Sequence, residues 1–330
     1  MAVLVSGGAG YIGSHMVLEL LDRGEKVVVL DNLSTGFWWA VPPEAVFVQG
    51  DIGDQPLIES LVAEHGITEI AHFAARIVVP ESVSDPLGYY FNNTVKTRAL
   101  IESAARSGVK HVIFSSTAAV YGEPPVSPVP EEIALNPINP YGRSKLMSEW
   151  MLQDAAKAHG FTYVALRYFN VAGADPKLRS GQSSPNATHL IKVASQAALG
   201  ERDGLTVFGT DYATPDGTCV RDYIHVTDLA RAHLAALDHL RSGKESLTLN
   251  CGYGRGYSVQ EVVEVVKKVS GVDFPVTLAA RRPGDPASLI ARADRIRTEL
   301  GWQPEHDDLE EIVGQALAWE EKLRTKNASA

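Results

Sequence analysis

Short apolar runs, many of them β-branched, recur through the first half of the chain and alternate with longer stretches of helical periodicity. The runs at 2–6, 26–30, 45–49, 69–74, 111–115 and 163–167 are apolar at most positions, as strands are when helices cover both faces of their sheet. Between them, 11–23, 55–64, 86–107 and 141–159 have the length and spacing of helices. This alternation predicts an α/β fold built on a Rossmann-type, doubly wound parallel sheet.

Beyond Arg167 the alternation loosens. Residues 175–185, rich in Gly, Ser and Pro, read as a loop. Helical patterns return at 190–199, 258–270 and 307–323, and in the last Leu309, Ile312, Val313, Ala316 and Leu317 form one apolar stripe. The pattern predicts a first domain over 1–173 and a smaller C-terminal α/β domain over 174–330. Segments near 223–252, namely 223–240 and 247–252, are candidates to return to the first sheet. The small, polar tail 325–330 is expected to fray.

Composition narrows the function classes. A chain of 330 residues with 45% hydrophobic content suits two domains with ample core. Its formal net charge of -10 argues against a nucleic-acid surface, which needs clustered Lys and Arg, but leaves room for an anionic small molecule in a locally basic pocket. Cys219 and Cys251 show no metal-ligand spacing and read as small buried hydrophobes in a reducing compartment. The chain opens directly into a strand, without a charged segment leading an apolar one. No apolar run reaches the ~20 residues of a membrane helix. A cytoplasmic protein with no membrane or metal partner is therefore expected.

Between the first strand and first helix lie Gly7, Gly10 and Gly13, spaced G-x-x-G-x-x-G. Glycines there let the backbone turn sharply and approach a pyrophosphate, whose charge meets the helix N-terminus. Asp31 ends the second run, where a carboxylate accepts hydrogen bonds from ribose hydroxyls and repels a 2′-phosphate, favouring NAD over NADP. The weaker alternative is that it merely starts the turn Asp31-Asn32-Leu33-Ser34. Asp51 and Ile52 follow the third run, where an adenine edge would be read.

Tyr141 and Lys145 lie four residues apart, on one face of a helix that starts near Pro140. A phenol titrates near pH 10, so a tyrosine base at neutral pH needs ~4 kcal/mol of phenolate stabilisation. One positive charge at ~4 Å in an effective dielectric near 20 supplies about that much. The fifth run leads into Ser115-Ser116-Thr117-Ala118-Ala119 at the carboxyl edge of the predicted sheet, where open α/β sheets bind ligands. A Thr117 hydroxyl there would bridge Tyr141 and a substrate hydroxyl.

Through these elements the chain resembles the extended short-chain dehydrogenases. The likeness is closest to their UDP-sugar 4-epimerases, through GGAGYIGSH, DNLSTG, HFAA, YGRSK, RYFNVAGA, GTCVRDYIHVTDLA and RRPGD. It runs from Val3 to about Leu323. The resemblance implies reversible C4 epimerisation of a UDP-hexose, UDP-galactose to UDP-glucose, through a 4-keto intermediate on tightly held NAD. It makes Tyr141 the base, Lys145 its electrostatic partner and Thr117 the hydrogen-bonding hydroxyl, where the family usually has serine. Cofactor contacts are implied at Gly7, Gly10, Tyr11, Ile12, Gly13, Asp31, Asn32, Ser34, Asp51, Ile52, Phe73, Ala74, Ala75, Asn92, Ser115, Tyr141, Lys145 and Tyr168. Substrate contacts are implied at Thr117, Asn170, His189, Leu190, Val207, Phe208, Arg221, Arg282, Asp285 and Leu289. Arg221 and Arg282 would hold the diphosphate, Asp285 the ribose and Phe208 the uracil. The resemblance also implies a homodimer pairing the helices near 86–107 and 141–159.

Three positions bear on which reaction is run. Related dehydratases carry an acid just after the Ser/Thr, whereas this chain has Ala118 and Ala119, which favours epimerisation over elimination. Ile77 replaces a lysine that contacts the cofactor in some relatives. Leu289, at a position that tunes sugar size, is intermediate and leaves UDP-xylose/arabinose, UDP-N-acetylglucosamine and UDP-glucuronate open. A non-catalytic NAD sensor would have no need to keep Thr117, Tyr141 and Lys145 together.

Overall fold

The computed structural model describes residues 2–184, 187–282 and 284–328. Its centre is a seven-stranded parallel sheet whose strands lie side by side in the order Leu247–Cys251, Thr162–Tyr168, His111–Thr117, Ile67–His72, Ala2–Ser6, Lys26–Asp31 and Val46–Gln49. The chain enters it as β1 (Ala2–Ser6), α1 (Tyr11–Asp22), β2 (Lys26–Asp31), β3 (Val46–Gln49), α2 (Gln55–His65) and β4 (Ile67–His72). Alternate strand residues feed two cores. Val3 and Val5 join Met16, Val17 and Leu20 of α1 on one side, while Ala2 and Leu4 join Ile58, Leu61 and Val62 of α2 on the other. That two-sided burial is why the strands read as continuous apolar runs.

The single helix expected at 86–107 is interrupted. Helices α3 (Val79–Ser84) and α4 (Pro86–Tyr89) lead into a π-helical turn, Tyr90–Val95, before α5 (Lys96–Arg106). In this turn Asn93 is buried, accepts from the Arg76 N–H and donates to the Arg76 carbonyl and Ser144 Oγ. Such wide turns often sit beside functional sites. Periodicity alone does not reveal them.

Next come β5 (His111–Thr117), α6 (Pro140–His159) and β6 (Thr162–Tyr168). Helix α6 starts sharply because Asn139 Oδ1 accepts the Gly142 N–H at 2.8 Å and Pro140 occupies the first turn. It ends at Gly160 in the left-handed region, φ 76°.

The remainder contributes β7 (Asn170–Ala172), α7 (Leu190–Ala198), β8 (Leu205–Phe208), β9 (Val220–Arg221), β10 (Tyr223–His225) and α8 (Val226–Arg241). Then follow β11 (Leu247–Cys251), β12 (Tyr257–Ser258), α9 (Val259–Ser270), β13 (Val276–Ala279), β14 (Ser288–Leu289), α10 (Asp294–Leu300) and α11 (Leu309–Ala328). Strand β11 pairs with β6, and buried residues of α8 pack in the same core as α1, so this stretch lies within the Rossmann layers. Three small sheets, β10-β7, β12-β9-β14 and β13-β8, complete the fold. Helix α11 extends to Ala328; Ser329 and Ala330 lie outside the described residues. Cys219 and Cys251 are buried and unbridged. Among the described residues no helix is long and apolar enough to cross a membrane.

Candidate active site

The glycine turn is packed too closely on itself and on Ala74 to admit side chains. Gly7 has φ 76°, and a Cβ there would lie 2.5 Å from the Ala74 nitrogen. A Cβ on Gly13 would lie 2.1 Å from the Gly7 carbonyl oxygen. Phe73 and Ala74 close over this turn, both donating their N–H to the Ser6 carbonyl, and Ala75 follows them half-buried. Gly10 is the N-cap of α1 and brings no side chain to its first turn, which also lacks an acidic residue. The amides of Tyr11, Ile12 and Gly13 therefore present the positive helix end to an anion. Tyr11 leans away and donates to the Gly173 carbonyl at 2.7 Å.

Asp31 ends β2 almost buried. Its two oxygens accept the Ala9 N–H at 3.0 Å and the Leu33 N–H at 2.8 Å. Burial pushes its carboxyl upward and those two bonds pull it back. Each oxygen keeps a lone pair for a ribose hydroxyl. The Asp31-Asn32-Leu33-Ser34 turn therefore coexists with an available carboxylate, and Asn32 Oδ1 accepts the Ser34 N–H. Asp51 is held by Lys96 Nζ at 2.6 Å, Asn32 Nδ2 at 3.2 Å and the Gly53 N–H at 2.8 Å, beside the buried Ile52. Asn92 is half-buried and donates to Asn93. Ile77 is exposed, and its neighbour Arg76 is engaged by Glu81 and Asp85. The glycine cradle, the uncapped helix end and Asp31 together fit a dinucleotide without a 2′-phosphate.

At the centre of the carboxyl edge, one stripe of α6 faces the end of β5. Tyr141 is buried near the Thr117 side chain, whose Oγ1 accepts the Ala119 N–H at 3.2 Å. Lys145 Nζ donates to the Ser115 carbonyl at 2.8 Å and lies 4.9 Å above the Phe114 ring. Ser115 Oγ donates to the Tyr168 hydroxyl at 2.8 Å. Burial raises the Tyr141 phenol, and the neighbouring Thr117 side chain acts in the other direction. Burial lowers Lys145 to about 7, while the Glu149 carboxylate pulls it up. The phenol is thus not activated by these side chains alone. A cationic ligand ring beside it would supply the missing charge.

The second group of predicted residues converges from distant segments. Arg221, on β9, sits 3.9 Å from Asp285, whose other oxygen accepts Arg282 Nε at 3.0 Å. Arg282 lies 4.8 Å above the Phe208 ring at the end of β8, next to the buried Val207. Leu289 pairs with Arg221 in the β14–β9 register. Asn170, His189 and Leu190 line a small cavity with Gly173, Gln182 and Tyr223. His189 Nδ1 is 2.6 Å from the Gln182 amide.

Sequence reasoning missed the partners that hold these groups: Lys96 for Asp51, Asn93 bonded to Ser144 of α6, and the buried pair Glu149–Arg167. Asp222 is a fourth, fully buried, with its oxygens accepting N–H groups of Tyr253, Gly254 and Ala291. Only the helical spacing of Lys145 and Glu149 gave any hint of one of them.

Residues 3–252 match the model of the NAD dependent epimerase/dehydratase family. A UDP-glucose 4-epimerase of Azospirillum brasilense is 58% identical over 321 residues, 97% of this chain and 92% of that one. The crystal structure of a UDP-glucose 4-epimerase from Brucella ovis in complex with NAD has TM-score 0.94 and 47% identity, covering 96% of this chain and 97% of that chain. One from Stenotrophomonas maltophila, with bound NAD and formylated UDP-arabinopyranose, has TM-score 0.95 and 40% identity over 100% of both chains.

Proposed function

The chain belongs to the NAD dependent epimerase/dehydratase family, and we propose that it is an isomerase that inverts C4 of a UDP-hexose, interconverting UDP-galactose and UDP-glucose. The observation that carries this reading is that Tyr141 lies near Thr117 while Lys145 is bonded to the Ser115 carbonyl on the same strand end, with only Ala118 and Ala119 following Thr117. There is a hydroxyl pair to move one proton and no acid in that position to expel water.

Bound NAD supplies the hydride acceptor and donor at C4, together with a positive ring. Gly7, Gly10, Tyr11, Ile12, Gly13, Asp31 and Asn32 hold it, with Asp51, Ile52, Phe73, Ala74, Ala75, Asn92 and Tyr168 along its length. Tyr141 takes the proton from the sugar 4-hydroxyl, and Thr117 holds that hydroxyl in line. Lys145 stabilises the phenolate. Arg221 and Arg282 grip the diphosphate in exchange for their contact with Asp285, which turns to the ribose. Phe208 covers the uracil. Asn170, His189 and Leu190 line the wall past which the 4-keto sugar turns, so that C4 would take back its hydride on the opposite face while Tyr141 returns the proton to O4. Anchoring the nucleotide and leaving the sugar few contacts directs binding energy to the part that does not react.

A homodimer through α4–α5 and α6 accords with this reading. Leu87, Phe91 and Val95 are 78%, 58% and 50% exposed at four-residue spacing, beside Met147 and Trp150 at 37% and 55%. Solvent rarely faces so many large apolar groups on adjoining helices.

The test is conversion of UDP-galactose to UDP-glucose by purified protein without added nicotinamide, with pentose, N-acetylated and uronic UDP-sugars in parallel. Conversion in that buffer supports both the reaction and the retained cofactor. No conversion of any UDP-sugar, even with NAD added, overturns the reading.

A further inference from the structure

Three residues of α6 meet three consecutive residues of β5. Tyr141 lies near Thr117, Lys145 donates to the Ser115 carbonyl, and Glu149 Oε1 accepts Ser116 Oγ at 2.5 Å. Positions i, i+4 and i+8 of a helix share one face, so the helix is fastened rung by rung to the strand end. The third rung is anchored differently from the others. Glu149 is 5% exposed and receives Arg167 Nε at 3.0 Å and NH2 at 2.7 Å, a two-pronged pair. Arg167 is the register partner of Ser116 on β6 and is itself braced by the Tyr121 hydroxyl and the Glu131 carbonyl. Tyr121 in turn donates to Asn250 on β11 at 2.6 Å. Nothing in this assembly touches the reacting atoms, yet it ends one helical turn beneath Lys145.

We propose that Glu149, locked to Arg167, is a positioning residue for the catalytic pair: it fixes the Ser115–Thr117 backbone against α6 and keeps the Lys145 ammonium charged beside Tyr141. The inference rests on the roles given to Tyr141 and Lys145 above. The electrostatic half follows from what surrounds the lysine. Helix α6 contributes Tyr141 and Glu149, and β4 contributes His72, which burial lowers to about 3 so that it stays neutral. Strand β5 offers the Phe114 ring and the Ser115 carbonyl, and β6 offers Tyr168, a neutral phenol, and Arg167. Glu149 is the one anion among these groups. Without it, burial alone acts on Lys145 and the Arg167 cation is left unopposed.

The test uses the full chain with its retained cofactor. Lysine is labelled with 13C and 15N, the Lys145 signal is assigned by its loss in Lys145→Met, and its titration midpoint is compared with the pH profile of kcat. In Glu149→Gln the midpoint should fall by about one pH unit or more, and the high-pH limb of kcat should fall with it. At pH 8 that amounts to a ~10-fold loss in kcat, with KM for the UDP-sugar changed less than ~2-fold. Glu149→Gln/Arg167→Met removes both charges and should recover part of the shift. If Glu149→Gln fails to fold, the double variant carries the test alone, and its midpoint should still lie below wild type. A folded variant lacking the Glu149 carboxylate with an unmoved Lys145 midpoint would overturn the proposal, as would a kcat loss uniform across pH. Absence of epimerisation in wild type would instead strike at the catalytic reading, because the lysine titration is read without turnover.

Discussion

The cofactor side and the nucleotide-sugar side of the cleft are built in opposite ways. On the first, backbone does most of the work: Gly7 and Gly13 leave no room for a Cβ, and Asp31 is fixed by two main-chain N–H groups. On the second, long side chains from three separate segments face one another, and Arg221 and Arg282 occupy Asp285. The first is a rigid mould suited to a ligand that stays. The second is an adjustable grip whose ion pairs must be exchanged each time a nucleotide sugar enters and leaves.

The sharpest way to break this comparison is at the point where the two sides meet. Tyr141→Phe removes the one proton carrier without disturbing the mould, so kcat should fall ~10³-fold while the NAD content measured after acid release is unchanged. Loss of cofactor along with activity would make Tyr141 part of the mould. Next in size is Gly13→Ala, whose Cβ would meet the Gly7 carbonyl oxygen at 2.1 Å. It should purify with little NAD and recover activity only when NAD is added. Retention equal to wild type would show that the turn yields more easily than its geometry implies.

Smaller effects separate the two arginines. Arg221 has a side chain only 12% exposed, whereas that of Arg282 is 52% exposed. Steady-state kinetics should give a ~100-fold rise in KM for Arg221→Ala and ~10-fold for Arg282→Ala, each with kcat within a few fold. A loss confined to kcat would mean that they act on the reacting sugar rather than on the diphosphate.

The smallest expected effect is on stability. Lys145 is depressed from its ordinary 10.5 to about 7, so the native state binds its proton less tightly than the unfolded chain does. Its contribution is fully favourable above pH 10.5 and is lost as pH falls toward 7. Lys145→Met should therefore raise the Tm of the protein by several degrees at pH 6, with the gain shrinking toward pH 10.5. Melting curves with the same offset at both pH values would contradict the depressed lysine.

The same contrast governs what could be read from the chain. The glycine turn, Asp31, and the four-residue spacing of Tyr141 and Lys145 are local patterns, so periodicity and turn chemistry located them. Lys96 and Asp51 lie 45 residues apart, and Arg167 lies 18 beyond Glu149 on another element, so their pairing exists only once the sheet is assembled. The π-helical turn at Tyr90–Val95 escaped because one extra residue per turn barely alters an apolar stripe. Helix α3 escaped because it is six residues long and carries Pro80 in its first turn. Arg221, Arg282, Asp285 and Phe208 came only through the family resemblance, since no local rule distinguishes such arginines from surface ones.

The central claim is that the hydrogen on C4 leaves and returns within one closed site, and deuterium labelling tests it most directly. UDP-galactose carrying deuterium at C4 is incubated with the protein in ordinary water, and the product is analysed by NMR. The account predicts UDP-glucose with the deuterium still on C4, now in the inverted configuration. Washout of that label into solvent, or its accumulation in free NADH with a keto product, would contradict it.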